Sequence, residues 1–321
     1  GYLLSYLCNL LLLSFSTSLG IRNKNDVTIR WSNESKPSLG GISFFIVFIF
    51  TAVAFAITFD DENIFHNVKY VGLFAAGSLA FIMGLADDAY NTKPFAKLFV
   101  QIFCGFIFVF TGTYIDVFHN ILIDYPITII WVVAIMNSLN MLDNMDGITA
   151  TTVFFILITC LYSGWIIGEF NTNIWSLLLI SIVGAIAGFL RFNVNPAKIF
   201  MGDAGSQFIG LFVAFYSIRF LWNVGSETET NSWASVLVTL VAFTPAAVDT
   251  LTVVINRLKK GQNPMVGGKD HTTHHLVYAG YSDKQVWFIF TLIGFFAFAL
   301  AISCDSCTKG AGAGSSKFSS K

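Results

Sequence analysis

Charge is what this chain has least of. Asp, Glu, Lys and Arg make up 12% of its 321 residues, where a soluble domain carries about a quarter. A chain so poor in charge cannot dress one folded core in polar surface, so an ordinary soluble domain is excluded. Proline is scarce too, with six residues, and long helices can run uninterrupted. The net charge is −1, which leaves no basic footprint and excludes nucleic acid as a partner. The five cysteines are scattered at 8, 104, 160, 304 and 307. The last two form a lone C-x-x-C with no second pair, which argues against zinc and for a chance pair or an accidental disulfide. No basic residue precedes the apolar stretch 2–20. That stretch reads as a first span rather than a cleaved leader.

What the chain has is apolar mass. Hydrophobic residues are 55% of it, Phe alone occurs 34 times, and the mean hydropathy is +0.69. The reading is an all-α, polytopic transmembrane helical bundle, since helices satisfy their own backbone in lipid. Ten stretches are apolar enough to be candidate spans: 2–20, 41–59, 68–86, 96–113, 121–141, 148–168, 173–190, 206–222, 233–255 and 285–304. Asp124 and Pro126 weaken the start of the fifth. A single membrane domain is expected over 1–304. The Gly/Ala/Ser-rich residues 305–321 read as a flexible tail.

The basic residues set the expected orientation. Arg22, Lys24, Arg30 and Lys36 follow the first span, Lys93 and Lys97 the third, and Arg191 and Lys198 the seventh. Arg257, Lys259, Lys260, Lys269 and Lys284 follow the ninth. These loops fall on one side, expected to be cytoplasmic, with both termini on the outer face. "FDDENIFHN" and "GSETETN" fall on the other. The polar clusters follow the basic loops. "GLADDAYNTKPFAKLFVQ" (84–101), "NSLNMLDNMDG" (137–147), "FMGDAGS" (200–206) and "GGKDHTTHHL" (267–276) all lie on the expected cytoplasmic side. Two separate signals agree on one cytoplasm-facing site assembled from several loops.

Each cluster has a chemistry and a plainer alternative. Asp87 and Asp88 are adjacent carboxylates, which repel unless a metal or a basic neighbour offsets them; the alternative is a solvated helix end. Lys97 can hold an anionic head group or simply snorkel. Asn137, Asn140, Asp143 and Asp146 recur every third residue, a spacing that slips about 60° per step on a helix. Gly147 is expected to break that helix and let Asp146 swing back. Buried amides and acids need partners, so a polar ligand is expected there. Asp203 lies among small residues that permit close backbone approach, and Ser206 is a candidate helix cap. Asp203 and Asp88 are the candidate ligands of Mg²⁺, which takes oxygen donors and bridges phosphates; an Asp at such a place can also be a cap. His271 and His274 lack an evident third and fourth zinc ligand, and imidazoles facing phosphate suit the acids better. Arg257 offers a guanidinium fork for phosphate. Asp249, inside the ninth span, reads as a buried structural acid or a support for the site.

In order along the chain, these motifs resemble those of the polyprenyl-phosphate N-acetylhexosamine-1-phosphate transferases, glycosyltransferase family 4. That family includes the enzymes that initiate lipid-linked O-antigen, teichoic acid and peptidoglycan synthesis. The likeness runs from "KPSLGGISF" (36–44) to "DHTTHHL" (270–276). "GLADDAY" looks like the family's Asp-Asp motif, and "NSLNMLDNMDGI" like its Asn-x-x-Asn-x-x-Asp-Gly-x-Asp-Gly motif. "RFNVNPAKIFMGDAGS" is close to the form in the branch acting on GlcNAc-1-phosphate. Asn144 stands where the family commonly has Gly, and His275 where this branch commonly has Arg; neither departure removes an acid.

The resemblance implies transfer of an N-acetylhexosamine-1-phosphate from a UDP-sugar to undecaprenyl phosphate, with UMP leaving. UDP-GlcNAc is the expected donor from the branch likeness alone. It implies catalytic roles for Asp87, Asp88 and Asp203, with Mg²⁺ (or Mn²⁺) on Asp203 and Asp88. It implies nucleotide-sugar contacts from Asn137, Asn140, Asp143, Asp146, Arg257, His271 and His274. Lys97, Gly40 and Gly41 are assigned to the lipid phosphate, the glycines through close helix packing beside a lipid groove. The expected partners are a UDP-N-acetylhexosamine, undecaprenyl phosphate and the lipid bilayer, with a homodimer left open. The expected location is a bacterial inner (cytoplasmic) membrane. The rival outside enzymology is a transporter that couples ions through membrane acids. Its acids should sit at mid-bilayer in broken helices, whereas here they sit at span ends, Asp249 excepted.

Overall fold

The computed structural model describes residues 1–15, 36–59, 64–169, 173–224, 232–263 and 268–315, with side chains to 304. Among these residues the structure is helical and has no strand. The helices are α1 (Tyr2–Phe15), α2 (Ile42–Thr58), α3 (Val68–Tyr90), α4 (Pro94–Phe110), α5 (Ile121–Leu142), α6 (Ile148–Ile166) and α7 (Ile174–Asn193). They continue with α8 (Gly202–Ser217), α9 (Ser232–Ala242), α10 (Thr244–Lys259), α11 (Thr272–Tyr278) and α12 (Asp283–Ser315). A π-helical turn, Ile218–Trp222, extends α8.

Every candidate stretch has its helix, but not every helix is a full span. Six are long and apolar enough to cross a membrane: α3, α5, α6, α7, α8 with its π turn, and α12 to Cys304. α9 and α10 pass that test only as a pair, bent by 72° at Phe243. Pro245 explains the break, since it lacks the N–H that would continue the ladder. α1, α2 and α4 are apolar but shorter. The helix of α12 is carried to Ser315, into the segment expected to be a flexible tail. Arg22, Lys24, Arg30, the acidic residues 60–62 and 225–231 lie outside the described residues, as does the Cys307 side chain.

Local sequence sets the helix ends. Asn67, Asn120 and Asn173 cap α3, α5 and α7 with their side-chain oxygens, as short polar residues do. Asp124 does not break α5: its carboxylate accepts from the amides of Phe118 (3.2 Å) and Asn120 (2.8 Å) just ahead of the helix. Asn91, left-handed at φ 50°, closes α3.

α8 is the axis of the bundle. Every residue from Ala204 to Ser217 is buried, with α3 and α5 packed along it. α3 comes close because Gly84 has no Cβ; one built there would lie 2.3 Å from the Asp203 carbonyl oxygen and 2.6 Å from Ala204 Cα. Gly41 does the same for α2, where a Cβ would lie 2.1 Å from Gly205 Cα. The first turn of α8 is thereby wedged between the end of α3 and the start of α2.

Candidate active site

The site forms where α3 and α5 end and α4 and α8 begin. Asp87 and Asp88 are neighbours in α3, so about 100° of helical turn separates their side chains. That rotation sends them to different partners. Asp87, buried, accepts from the Thr92 amide (2.7 Å) and hydroxyl (2.6 Å) and forms an ion pair with Lys97. Asp88 turns to α8 and accepts from the amides of Asp203 (3.0 Å) and Ala204 (2.8 Å). It caps that helix from another helix, satisfying orphan donors at its positive end. Ser206, the expected cap, is a turn inside α8 and bonds instead to Asn140. Each Asp88 oxygen thus accepts one backbone amide of α8.

Asp203 lies in the first turn of α8, its side chain 27% exposed. Its Oδ1 accepts from Asn140 Nδ2 at 2.5 Å and lies 3.6 Å from Lys97 Nζ. Lys97 thus sits between Asp87 and Asp203, one ammonium shared by two carboxylates from different helices. Asp87, Asp88, Lys97, Asn140 and Asp203 form one cluster.

The run 137–146 was expected to line a single ligand face; in the structure it fans out. α5 ends at Leu142, five residues before the expected break, because Asp143 already leaves helical geometry (φ −75°, ψ 52°). Asn137 is spent on Gln101 (2.6 Å) and the Val133 carbonyl (2.9 Å). Asn140 alone reaches Asp203. Asn144 accepts from the Thr273 hydroxyl of α11 at 2.7 Å. Asp146 turns away and accepts from Asn195 (3.1 Å) and the Ala197 amide (2.9 Å), in the loop before α8. Asn137 and Asp146 are ties between elements. Gly147 supplies a left-handed turn (φ 76°) that starts α6.

Gly40 and Gly41 pack rather than bind. Both are buried, and their amides donate to the carbonyls of Phe200 and Met201, each at 2.9 Å. Neither amide is open to a lipid phosphate.

A second cluster lies beyond α5, at the end of α10 and in the loop before α11. Arg257 was expected to offer its fork to phosphate. It is buried and already bidentate to Asp270, Nε to Oδ2 at 2.8 Å and Nη2 to Oδ1 at 2.6 Å. The fork holds the Asp270 carboxyl below its ordinary range. Asp249, fully buried, is 2.9 Å from His271 Nδ1 through Oδ2. Its Oδ1 accepts from the Thr272 amide (2.8 Å) and hydroxyl. His274 is buried with its ring perpendicular to that of His271, 5.4 Å between centroids. Burial, helped by His271, holds His274 down to about 4, so it is neutral. His275 faces outward against Tyr278. The Asn144–Thr273 bond ties this cluster to the end of α5, on the same side of the bundle as Asp203.

Sequence reading alone did not find Thr92, Gln207 or Gly84. Gln207 lies one turn after Asp203 and accepts from Gln101 at 3.1 Å; that i, i+4 spacing was its only signal. Gly84 was visible inside the "GLADD" motif, but the close approach it permits is a tertiary fact. No group of three or more His, Cys, Asp or Glu placed to hold a metal occurs among the described residues.

The model for glycosyl transferase family 4 matches residues 70–221, from the start of α3 to the π turn. A probable undecaprenyl-phosphate N-acetylglucosaminyl 1-phosphate transferase of Bacillus subtilis is 28% identical over 281 residues, covering 85% of this chain and 74% of that protein. A decaprenyl-phosphate N-acetylglucosaminephosphotransferase of Mycolicibacterium smegmatis is 26% identical over 298 residues, covering 83% and 71%. A phospho-N-acetylmuramoyl-pentapeptide-transferase of Streptococcus agalactiae is 31% identical over 219 residues, covering 62% and 64%.

Proposed function

The chain belongs to glycosyl transferase family 4, and on that premise we propose that it transfers a sugar-1-phosphate to a polyprenyl phosphate. The donor in this reading is a UDP-N-acetylhexosamine; the names of two relatives carry N-acetylglucosamine as the sugar, which favours UDP-GlcNAc. The acceptor is undecaprenyl phosphate in a bacterial cytoplasmic membrane. The products are UMP and an undecaprenyl-diphospho-sugar, the first membrane step of a cell-envelope polysaccharide.

One observation carries the reading. Asp203 stands at the mouth of the buried axial helix, fixed by Asn140 and sharing Lys97 with Asp87. A water-borne nucleotide and a lipid phosphate can meet only where an apolar bundle opens to water. Both substrates are anionic, so the work is alignment and charge neutralisation.

In this reading Lys97 releases part of its hold on the acids to engage a substrate phosphate, and Asp87, fixed by Thr92, orients the lipid phosphate. Asp88 keeps the first turn of α8, and with it Asp203, in place. The donor chemistry fits Mg²⁺, which is commonly held by one or two carboxylates while substrate phosphates and water complete its shell. Asp203 and Asp87, gathered at one cation, are the carboxylates that would hold it. When bound, the ion would supply positive charge to the pyrophosphate oxygens.

The test uses purified protein, undecaprenyl phosphate, Mg²⁺ and radiolabelled UDP-GlcNAc. Label is expected in the organic phase, and Asp203→Asn is expected to lower the rate by about 10³-fold, the scale of a lost electrostatic contact at the reacting centre. Transfer only from another UDP-sugar would move the donor. No transfer from any donor, with folded protein, would sink the reading and favour ion-coupled transport.

A further inference from the structure

The second cluster contains an arrangement that the reaction has not yet used. His271 meets Asp249 through Nδ1 at 2.9 Å, and Asp249 is fully buried in α10. The other Asp249 oxygen is held by the Thr272 amide and hydroxyl, so the carboxylate cannot swing away. Nε2 of His271 makes no hydrogen bond among the described residues. A carboxylate accepts only from a protonated nitrogen, so Nδ1 carries a proton and Nε2 is the ring nitrogen left for a further partner; the ring itself is buried. Two other basic groups beside it are poorly placed to serve an anion. Arg257 is closed on Asp270, and His274 is buried and neutral.

We propose that Asp249 is a positioning residue: it anchors His271 by Nδ1 and turns Nε2 toward the phosphates of the nucleotide sugar. This rests on the transferase reading above. With both nitrogens donating, the ring would lie between two anions, Asp249 and the substrate. Hydrogen bonds to charged partners are about twice as strong as neutral ones. The other charged or titratable groups on elements packed against this loop are Arg257, Lys269, Asp270, His274 and His275, with Asp143 at the end of α5 and Asp283 and Lys284 at the start of α12.

Asp249→Asn tests this with little change of shape. The amide oxygen still accepts from Thr272, but the amide N–H now faces Nδ1 and forces that atom to become an acceptor. In protein labelled with ¹⁵N-histidine, the His271 Nδ1 is expected to be protonated in wild type and unprotonated in the variant. In the transfer assay, kcat/KM for UDP-GlcNAc is expected to fall about 30-fold while KM for undecaprenyl phosphate holds, the loss of one charge-assisted bond to phosphate. His271→Gln is expected to match that loss, and Asp249→Asn/His271→Gln to be no worse than His271→Gln alone. A double variant that loses the product of both effects would make Asp249 a separate structural residue and overturn the proposal. So would an unprotonated Nδ1 in wild type, a measurement that stands even where the Asn variant fails to fold. Wild type that transfers no label would instead sink the transferase reading, leaving the nitrogen assignment to be read on its own.

Discussion

At the scale of single residues, the site is built by carboxylates with different partners. Asp87 answers an ammonium, Asp88 two amides, Asp203 an amide side chain and the shared ammonium, and Asp249 an imidazole. None is left as a bare buried charge, which would be costly. His274 is a residue whose burial has a solution signature. Its imidazole, ordinarily near 6.5, is held to about 4 by desolvation first and by His271 second. Between those values the unfolded chain takes up a proton that the folded one refuses, so stability rises with pH. The contribution is fully present above about 6.5 and is lost as the pH falls toward 4. The unfolding free energy measured across that window is expected to drop as the pH is lowered, by up to about 1.4 kcal/mol per pH unit. In His274→Asn that part of the slope should vanish; an unchanged slope would mean that another group carries it.

At the scale of elements, the position of Asp203 is decided by how closely three helices approach. Gly84 of α3 and Gly41 of α2 let two backbones touch the first turn of α8, and Asp88 fastens the contact by capping it. Gly84→Ala would drive a methyl into the Asp203 carbonyl, at 2.3 Å before relaxation. Overpacking of this kind costs about 1–3 kcal/mol, and here the strain falls on the turn that carries Asp203. Gly77→Ala, two turns earlier on the same face of the helix, meets only the Phe208 ring at 3.3 Å, the edge of a side chain that can give way. Activity is expected to collapse in Gly84→Ala and to stay within a few-fold of wild type in Gly77→Ala. Equal losses in the two would show that the axial approach has no special bearing on the site.

At the scale of the whole molecule, both clusters sit at one end of the bundle, where α3, α5 and α10 end and α4 and α8 begin. By the distribution of basic residues in the sequence, that end is expected to face the cytoplasm. Single cysteines in a background lacking the five native ones can test this: Gln262→Cys beside the site and His119→Cys at the far end, both at exposed positions. A membrane-impermeant maleimide is expected to label position 119 in intact cells and position 262 only in inverted vesicles. The reverse pattern would turn the protein over and separate its site from the nucleotide pool.

Much of this was legible in the chain. Composition determined an all-helical membrane bundle, because only helices or closed barrels satisfy the backbone in lipid. Spacing and residue type determined the polar clusters, and Asp87, Asp88, Lys97, Asn140 and Asp203 do converge. Partnership was not legible, because a side chain's neighbour across helices depends on rotation about each axis and on how near the axes come. For that reason the repeat from Asn137 to Asp146 looked like one ligand face yet serves four elements. Arg257 offered an open fork until Asp270 closed on it, and the partners of Asp88 were unseen until α8 presented two amides. The sequence by itself determined which polar groups stand at the ends of the apolar helices. Only the tertiary structure decided which of them face one another, since hydrogen bonds and ion pairs act over about 3 Å and close helix approach is what brings distant residues within that reach.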